Sequence, residues 1–457
     1  MRILGHYVYV PIVLLAIAES AGGAVVFGAS AKLLGGDAGL PPGPLLLWMA
    51  IFGLTVVAGL TAVGLYQARQ RLRLGGAVVR VAVGLGLTAT ILAVVDFIFP
   101  LGIGGLPWVV SIIGSFVVVG GIRIVTWRWL DHELFRRRVL IYGAGKRAAT
   151  LLKLRRQSDR RGFTLVAFVH AEGDGSPIVD PRVTELQGSI LEYAKANAID
   201  EIVVAMDDRR AGFPIADLLQ CKFAGIAVID LLAFLERETG RVIVELVNPS
   251  WLIFSEGFRS TARVEIAARV LDLVSAVLML VIASPLVVLA ALAIVIEDGR
   301  PVFYRQRRVG FLGKPFTVYK FRSMIKNAEA EGTPQWAQAE DRRVTRTGRW
   351  LRKLRIDELP QLWNVLRGDM SLVGPRPERP EFVARLSQSI PYYHERHVVK
   401  PGLTGWAQLC YPYGSSDRDA LEKLQYDLYY IKHKSLIFNL MVLLQTTEVV
   451  LWGKGAR

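Results

Sequence analysis

Apolar positions divide the first 130 residues of the chain into four long runs. They cover roughly residues 8–31, 45–66, 78–99 and 108–125, and each approaches the ~20 residues that a helix needs to cross a bilayer. Lys and Arg are frequent after the second and fourth runs, whereas the segments "LLGGDAGLPPGP" after the first and "PLGIGGLP" after the third contain none. Because basic loops stay in the cytoplasm, the pattern predicts a four-transmembrane-helix bundle over residues 1–130 with both ends cytoplasmic. A signal peptide in the first run is the alternative, and the three spans that follow disfavour it.

The period of the pattern changes after the basic residues 136–138. The segment "VLIYGAGKRAATLLKL" predicts a short strand, a turn containing Gly143 and Gly145, and an amphipathic helix, which is how a Rossmann unit opens. Further buried strands alternate with helices, so we expect a Rossmann-like α/β domain over residues 138–250. The second strand ends without a well-placed acid for a ribose, and no Tyr-x-x-x-Lys pair follows. A structural or regulatory domain, with Gly143 and Gly145 as possible nucleotide contacts, is therefore favoured over NAD-dependent catalysis.

A fifth apolar run covers residues 273–296 and contains no charge. Its length predicts a membrane helix, but Ser284 and Pro285 stand in its middle, where proline removes a backbone hydrogen bond and kinks a helix. Arginines flank both ends of the run, which suggests that both ends stay in the cytoplasm. Two interpretations remain open from these residues. One is a helix-break-helix hairpin over 260–299 that enters one leaflet and returns, and the other is an ordinary kinked span.

Composition favours a membrane protein with large soluble parts. The 457 residues are 52% hydrophobic and carry a formal net charge of +15, and the mean hydropathy is +0.36. The excess of Lys and Arg favours lipid head groups and phosphorylated substrates as partners ahead of nucleic acid. Cys221 and Cys410 lie far apart and outside any CxxC or Cys/His cluster, so neither a disulfide framework nor a zinc site is expected.

A basic, aromatic strip follows the fifth run. Residues 300–327 contain eight Lys or Arg, six Phe or Tyr, and no acid. Beside a membrane, such a strip can lie on anionic lipid or hold substrate phosphates. Within "KFRSM", Lys320 and Arg322 are separated by one residue, so an extended segment would present both on the same face.

The stretch "RIDELPQLWNVLRGD" places two acids, Asp357 and Glu358, just ahead of Pro360. Proline is best tolerated in the first turn of a helix, so the acids are expected at the N-terminus of a short helix that ends near Arg367, with Gly368 as its cap. A lone Asp at such a place is usually an N-cap.

Cations on both sides of the pair favour a functional interpretation. Arg352 lies upstream, Arg376 follows in "GPRP", and several other arginines are close in sequence. Many cations around two acids fit a site that holds a diphosphate and a divalent metal while a carboxylate attacks phosphorus. Mg²⁺, bound by carboxylate and phosphate oxygens, would remove the repulsion between nucleophile and substrate.

Three blocks carry a family resemblance: "VFYRQRRVGFLGKPFTVYKFRSM", "LRKLRIDELPQLWNVLRGDMSLVGPRPERPEF" and "YYHERHVVKPGLTGWAQL". They resemble successive signatures of the bacterial sugar transferase family, the polyprenyl-phosphate hexose-1-phosphate (monotopic phosphoglycosyl) transferases. The resemblance covers residues 260–457, and the bundle and Rossmann-like domain ahead of it resemble the large members that initiate exopolysaccharide or O-antigen synthesis.

This resemblance implies an undecaprenyl-phosphate sugar phosphotransferase, of the EC 2.7.8 type. Such an enzyme transfers a sugar 1-phosphate from a UDP-sugar to undecaprenyl phosphate, giving undecaprenyl-diphosphate-sugar and UMP, and requires Mg²⁺. It implies a multi-pass protein of the bacterial inner membrane with the Rossmann-like and catalytic domains on the cytoplasmic side. The catalytic domain, residues 300–457, is expected to be mainly α with interfacial C-terminal helices, and a homodimer is suggested by analogy.

The resemblance also implies roles for single residues. Asp357 would be the nucleophile, forming a phosphosugar-aspartyl intermediate that the polyprenyl phosphate then attacks. Glu358 would complete the dyad by helping to hold the metal or by acting as a base, and the residues alone do not choose between these roles. Arg352 would bind phosphate.

Weaker matches extend the expected site. Lys320, Arg322 and Arg376 are expected as phosphate or uridine contacts. The family's Ser-Pro broken re-entrant helix matches Ser284 and Pro285, which favours the hairpin over the kinked span.

Three other functions remain as alternatives. A glycosyltransferase acting on an already lipid-linked sugar would release UDP in place of UMP. A membrane-tethered nucleotide-sugar dehydratase or epimerase would use the Gly143–Gly145 turn. A non-catalytic scaffold of a polysaccharide assembly complex would not need the intact acid pair. No residue can be tied to a sugar hydroxyl, so the sequence does not name the sugar.

Overall fold

Two compact units make up the chain. The first comprises Met1–Thr61 and Leu65–Pro249, and the second comprises Ala62–Gly64 and Ser250–Arg457. The computed structural model describes residues 2–3, 6–7, 10–34, 42–66, 74–98, 105–129, 136–152, 154, 162–176, 178–186, 188–210, 212–255, 257–258, 261–326, 343–411, 414 and 416–452. The basic connection predicted after the second span, residues 67–73, lies outside these ranges.

Four long helices form the N-terminal part of the first unit. Two short antiparallel strands, β1 (Arg2–Ile3) and β2 (His6–Tyr7), precede them. The helices are α1 (Val10–Leu34), α2 (Pro42–Ala62), α3 (Leu74–Ile98) and α4 (Gly105–Trp129). Each contains a stretch with a mean hydropathy of 2.0 to 2.2 that is long and apolar enough to cross a membrane. The four predicted apolar runs are therefore helices of membrane-spanning length.

A buried ion pair joins α1 to α4. Arg123 Nε lies 2.7 Å from Glu19 Oε1, Arg123 Nη2 donates to Oε2 over 2.9 Å, and the Tyr66 hydroxyl donates to the same carboxylate. The Glu19 side chain has no exposed surface. Because a lone charge between apolar helices is costly, this pair disfavours any arrangement that separates α1 from α4.

A five-stranded parallel sheet forms the rest of the first unit. Its strands are β3 (Arg137–Tyr142), β4 (Phe163–Val169), β5 (Val183–Thr184), β6 (Glu201–Val204) and β7 (Ala227–Asp230). The connecting helices are α5 (Ala149–Leu152), α6 (Ile190–Ala196), α7 (Ile215–Phe223) and α8 (Leu231–Thr239). The strand order is β5-β4-β3-β6-β7, with every neighbouring pair parallel. This order reverses at β3, as in a doubly wound Rossmann half.

The second unit contains one very long helix followed by a mixed, mainly helical part. Its strands are β8 (Phe303–Val309), β9 (Pro315–Phe321), β10 (Ser371–Val373) and β11 (Gly402–Thr404). Its helices are α9 (Pro249–Phe254), α10 (Ala262–Asp298), α11 (Arg346–Lys353), α12 (Gln361–Arg367), α13 (Pro380–Ser389), α14 (Trp406–Cys410), α15 (Asp417–Lys432) and α16 (Leu436–Trp452). Strands β8 and β9 form an antiparallel hairpin, and β10 pairs with β11 in parallel.

Helix α10 continues through Ser284 and Pro285, where we predicted a break. Pro285 has no N–H, so the carbonyl of Val281, four residues earlier, loses its helical donor. The Ser284 hydroxyl donates to that same oxygen over 2.8 Å. The side chain therefore replaces the bond that proline removes, and the chain stays helical across Pro285.

Both ends of α10 are hydrogen-bonded to the mixed part of the same unit. Near its start, Arg269 donates to the carbonyl oxygens of Val365 (2.6 Å) and Leu366 (2.8 Å). At its end, Arg322 Nη2 donates to the carbonyl oxygens of Asp298 (2.9 Å) and Gly299 (2.6 Å). The helix is thus attached at two places to the part of the unit that carries the acid pair.

Candidate active site

The acid pair lies in a single turn of 3₁₀-helix, Ile356–Glu358, between α11 and α12. Arg355, which precedes it, has a left-handed backbone with φ 58°, so the chain turns sharply out of α11. Pro360 leads into α12, which ends at Arg367 with Gly368 in the left-handed conformation, φ 89°. The predicted helix end and glycine cap are confirmed. The acids, however, lie one turn ahead of α12 and not in its first turn.

Asp357 is a buried carboxylate, with 9% of its surface exposed. Its Oδ1 atom is buried and has no hydrogen-bond partner among the residues that the structure describes. Burial, together with the neighbouring charge of Glu358, raises the pKa of Asp357 to about 6, although Lys320, Arg352 and Arg376 act in the opposite direction. A carboxylate oxygen without donors keeps its lone pairs available for a bond to an electrophile or a metal.

Glu358 has the opposite environment. Its Oε1 atom accepts a 2.6 Å hydrogen bond from Arg376 Nη2 and lies 3.6 Å from Lys320 Nζ and 3.7 Å from Arg355 Nη1. Burial opposes ionisation, but the charges of Arg376 and Lys320 hold the pKa of Glu358 well below its usual range. The two adjacent acids are therefore made unequal by their partners, and Glu358 stays ionised at any physiological pH.

Arg352 completes the cationic surroundings of the pair. It lies in the last turn of α11, and its Nε donates to Ser323 Oγ over 2.9 Å. Its charge lowers the pKa of Asp357. Of the six side chains predicted for the catalytic and phosphate-binding site, the structure brings five together: Asp357, Glu358, Lys320, Arg352 and Arg376.

Comparison with known proteins connects this site to a family. Residues 263–453 match the family described as bacterial sugar transferase. The chain is 38% identical to the UDP-N-acetylgalactosamine-undecaprenyl-phosphate N-acetylgalactosaminephosphotransferase of Aeromonas hydrophila, over 62% of this chain and 67% of that protein. It is 34% identical to the UDP-glucose:undecaprenyl-phosphate glucose-1-phosphate transferase of Escherichia coli K12, over 73% of this chain and 72% of that protein. It is 31% identical to the undecaprenyl-phosphate glucose phosphotransferase of Komagataeibacter xylinus, over 82% of this chain and 71% of that protein.

The chain belongs to the bacterial sugar transferase family. The expected family and enzyme class are confirmed. The matches extend well ahead of residue 263, since they cover up to 82% of the chain. The large type of sugar transferase, with apolar helices and an α/β unit before the catalytic part, thus fits both the relatives and the fold.

Arg322 of this sugar transferase is bonded to the end of α10. Strand β9 ends at Phe321, and the Arg322 N–H still donates to the Val302 carbonyl over 2.9 Å. Besides its two carbonyl acceptors at the end of α10, Arg322 forms an ion pair with Asp298 Oδ2 at 3.0 Å. These contacts favour a structural role at the end of α10 over the predicted phosphate contact.

A second buried ion pair, between Arg396 and Asp427, contacts the backbone of Arg376. It was not predicted from the sequence. Arg396, which is 6% exposed, donates to the Arg376 carbonyl oxygen over 3.0 Å and to Tyr393 Oη over 2.7 Å. Its Nη2 lies 2.8 Å from Asp427 Oδ2. The segment "YYHERH" contains Arg396, but its partner Asp427 is 31 positions further on, and no local pattern links the two.

Glycines allow the "GPRP" and "PGLTGW" segments to pack backbone against backbone. Gly402 N donates to the Pro375 carbonyl and Gly374 N to the Thr404 carbonyl, each over 2.9 Å. A Cβ on Gly374 or Gly402 would overlap backbone atoms of the other segment. This close approach fixes the loop that carries Arg376.

The residues at the acid pair fit Mg²⁺ only with help from substrate. No group of three His, Cys, Asp or Glu that could hold a metal occurs in the described part of the chain. Asp357 Oδ1 is an orphaned buried oxygen, and Mg²⁺ is typically held by one or two carboxylates together with substrate phosphates and water. The donor set therefore fits a metal that arrives with a diphosphate.

The Gly143–Gly145 turn of the first unit holds carboxylates. Asp207 accepts hydrogen bonds from the backbone N–H groups of Lys146 and Arg147, each over 2.8 Å. Asp174 accepts one from Ala144 N over 2.7 Å. These N–H groups are the ones that a Rossmann turn offers to a nucleotide's phosphates.

Proposed function

We propose that the chain transfers a sugar 1-phosphate from a UDP-sugar to undecaprenyl phosphate, giving undecaprenyl-diphosphate-sugar and UMP. The observation that carries this proposal is the buried Oδ1 of Asp357, which receives no hydrogen bond from the described residues, beside a Glu358 held by Arg376 and Lys320. Its support is the family membership and the relatives, which are named as transferases acting on undecaprenyl phosphate.

Asp357 is proposed as a nucleophile in two displacements. Its carboxylate attacks the phosphorus that bears the sugar, the P–O bond to UMP breaks, and the sugar phosphate remains on the carboxylate as an acyl phosphate. A phosphate oxygen of undecaprenyl phosphate then attacks the same phosphorus, and the electron pair of the breaking bond returns to Asp357. Neither displacement requires a net proton, so Asp357 needs only to be ionised.

The surrounding residues would stabilise the charge that builds up on the phosphoryl oxygens. Arg352 and Lys320 place positive charge beside Asp357, where it is worth more than in water because the site is buried. The depressed pKa of Glu358 makes it a weak base, which favours the metal-holding role over the base role. Asp357 and Glu358 would hold Mg²⁺, which neutralises diphosphate charge when bound.

Helix α10 is proposed to enter one leaflet of the bacterial inner membrane and return. A straight 37-residue helix would be about 55 Å long, whereas the hydrocarbon core is ~30 Å thick. Both ends of α10 bond the same mixed part of the unit, and Pro285 offers a place to bend. This arrangement would keep residues 300–457 on the cytoplasmic side, at the head-group level where a lipid phosphate and a soluble UDP-sugar can meet.

Labelling tests this topology directly. We expect an engineered cysteine at Arg300 and another at Arg263 both to react only with reagents that reach the cytoplasm. Labelling of Arg300→Cys from the periplasm would rule out the re-entrant path.

Nucleotide release tests the reaction. Protein in nanodiscs with undecaprenyl phosphate and Mg²⁺ is given a panel of UDP-hexoses, and we expect UMP from one preferred sugar. Asp357→Asn should release none, while Asp417→Asn, which removes an exposed acid paired with Arg385, should release as much as the parent. UDP instead of UMP, or equal UMP from Asp357→Asn, would overturn the proposed function.

A further inference from the structure

Strand β9, which carries Lys320, has one edge paired with β8 and one edge turned towards α12. On the second edge, the Tyr319 N–H donates to Asn364 Oδ1 over 3.1 Å, and Asn364 Nδ2 donates to the Thr317 carbonyl over 2.7 Å. Alternate residues of a strand direct their backbone groups to the same edge. A side-chain amide has one acceptor and one donor face, like a peptide group, so Asn364 pairs with β9 as a neighbouring strand would.

Asn364 itself is held rigidly. It is completely buried, and its own carbonyl oxygen accepts hydrogen bonds from the N–H groups of Gly368, Asp369 and Met370, over 3.0 to 3.3 Å. It therefore belongs to the capped end of α12, the helix that directly follows the acid pair. Through one side chain, the strand bearing Lys320 is tied to the segment bearing Asp357 and Glu358.

We propose that Asn364 is a positioning residue that sets Lys320 against Glu358. Lys320 has a long, flexible side chain whose Nζ lies 3.6 Å from Glu358 Oε1. The position of Nζ therefore depends on the backbone position of Lys320 in β9. Without the amide of Asn364, the N–H of Tyr319 and the carbonyl of Thr317 lose their partners, and β9 can shift away from the acid pair. A shift of about 1 Å at a catalytic group can cost up to ~100-fold in rate. This inference rests on the proposed function.

A matched buried asparagine provides the control. Asn439 is 3% exposed, lies in the same unit and accepts a 2.9 Å hydrogen bond from Tyr430 Oη. Both Asn364→Ala and Asn439→Ala should lower the melting temperature. Only Asn364→Ala should lower kcat for UMP release, by about 10- to 100-fold, with a smaller change in KM for the UDP-sugar.

A double-mutant cycle with Lys320→Met decides whether Asn364 acts through Lys320. We expect Asn364→Ala to cost less than about threefold in kcat once Lys320 is already replaced, whereas Asn439→Ala has the same effect in either background. Equal losses from Asn364→Ala in both backgrounds would overturn the positioning role. Activity retained by Asp357→Asn would instead overturn the proposed function, so the two failures are distinguishable.

Asn364→Leu serves where the alanine variant does not fold. It is close to Asn in volume, so it leaves no cavity, but it offers neither the acceptor for Tyr319 N nor the donor for the Thr317 carbonyl. The same loss of kcat and the same dependence on Lys320 are expected.

The Gly143–Gly145 turn carries a second, independent inference. We infer that Asp207 closes this turn to nucleotide phosphates. Its carboxylate takes the two N–H groups of Lys146 and Arg147, and a Cβ on Gly145 would overlap it. The glycine therefore makes room for an internal carboxylate, where a dinucleotide-binding turn makes room for a pyrophosphate.

Titration with NADH tests this closure on the full chain. We expect no saturable binding up to about 1 mM, far above the range in which specific sites fill. Asp207→Ala should lower the melting temperature more than Asp200→Ala, which removes a single bond to Arg138 N, because two N–H groups lose their acceptor. Saturable NADH binding by the parent protein, or equal destabilisation by the two variants, would overturn the inference.

Discussion

Arg376 donates a 2.6 Å hydrogen bond to Glu358, and this bond makes two adjacent carboxylates chemically different. Glu358 is hydrogen-bonded and ionised, while a buried oxygen of its neighbour Asp357 has no donor in the part of the chain that the structure describes. Catalytic sites commonly separate the properties of paired acids through their surroundings in this way. The consequences can be measured on each acid separately.

Replacing Asp357 and replacing Glu358 should affect stability differently. Asp357→Asn should abolish UMP release, by at least about 10³-fold, without lowering the melting temperature, because burial disfavours the Asp357 charge. Glu358→Gln should cost on the order of 2 kcal/mol of unfolding free energy, because Arg376 and Lys320 lose their buried counter-charge. Thermal unfolding of both variants in nanodiscs checks this, and a lower melting temperature for Asp357→Asn than for Glu358→Gln would contradict it.

The acidic limb of the pH profile should report Asp357. Its pKa is raised to about 6, so kcat/KM should fall about tenfold per pH unit below that value as the nucleophile becomes protonated. Lys320, Arg352 and Arg376 lower this pKa and Glu358 raises it, so Arg376→Gln should move the limb to higher pH. Because the folded state binds this proton more tightly than the unfolded state, ionisation of Asp357 lowers stability as pH rises from about 4 past 6. A limb that stays in place in Arg376→Gln would exclude this assignment.

Replacing Arg322 should mainly lower stability, whereas replacing Arg352 should mainly lower activity. Arg322→Met removes the bonds to the Asp298 and Gly299 carbonyls and should cost about 2 kcal/mol of unfolding free energy. Arg352→Met should leave the melting temperature within a few degrees but lower kcat by about 10²-fold, comparable to the loss of one oxyanion donor. Melting temperature and UMP release measured on both variants check this prediction. Loss of activity without loss of stability in Arg322→Met would support Arg322 as a phosphate contact.

The Ser284 hydroxyl should matter only because Pro285 follows it. Ser284→Ala should cost about 1 kcal/mol, since the Val281 carbonyl would then have no donor within an apolar helix. In a Pro285→Ala background the new N–H can bond that carbonyl, and Ser284→Ala should become nearly neutral. Additive effects of the two substitutions on the melting temperature would disprove the compensation.

Much of the architecture follows from local patterns. Four apolar runs became helices of spanning length, the GxG segment opened a parallel sheet, and Gly368 capped the helix after the acid pair. Each depends on neighbours a few positions apart, where periodicity and turn chemistry apply.

The supporting contacts of the site could not be predicted in this way. Asn364 bonds Thr317 from 47 positions away, and Arg396 reaches Asp427 from 31. The contacts of Arg322 with the end of α10 join residues more than 20 positions apart, so no local pattern indicated them. Ser284 and Pro285 were expected to break a helix because the sequence shows that proline removes a backbone hydrogen bond. The Ser284 hydroxyl replaces that bond, and this depends on the side-chain rotamer, which the sequence does not show.

The attachment of α10 at both ends has a mechanical consequence. If α10 were attached to the mixed part of the unit at one point, that part could rotate freely about the point. With two attachments, it can rotate only about the line that joins them. Arg269 and Arg322 provide these two attachments. The distance of Asp357 from the lipid would therefore be set by the fold of this unit. A lipid-borne phosphate would then search for its acceptor site in two dimensions only.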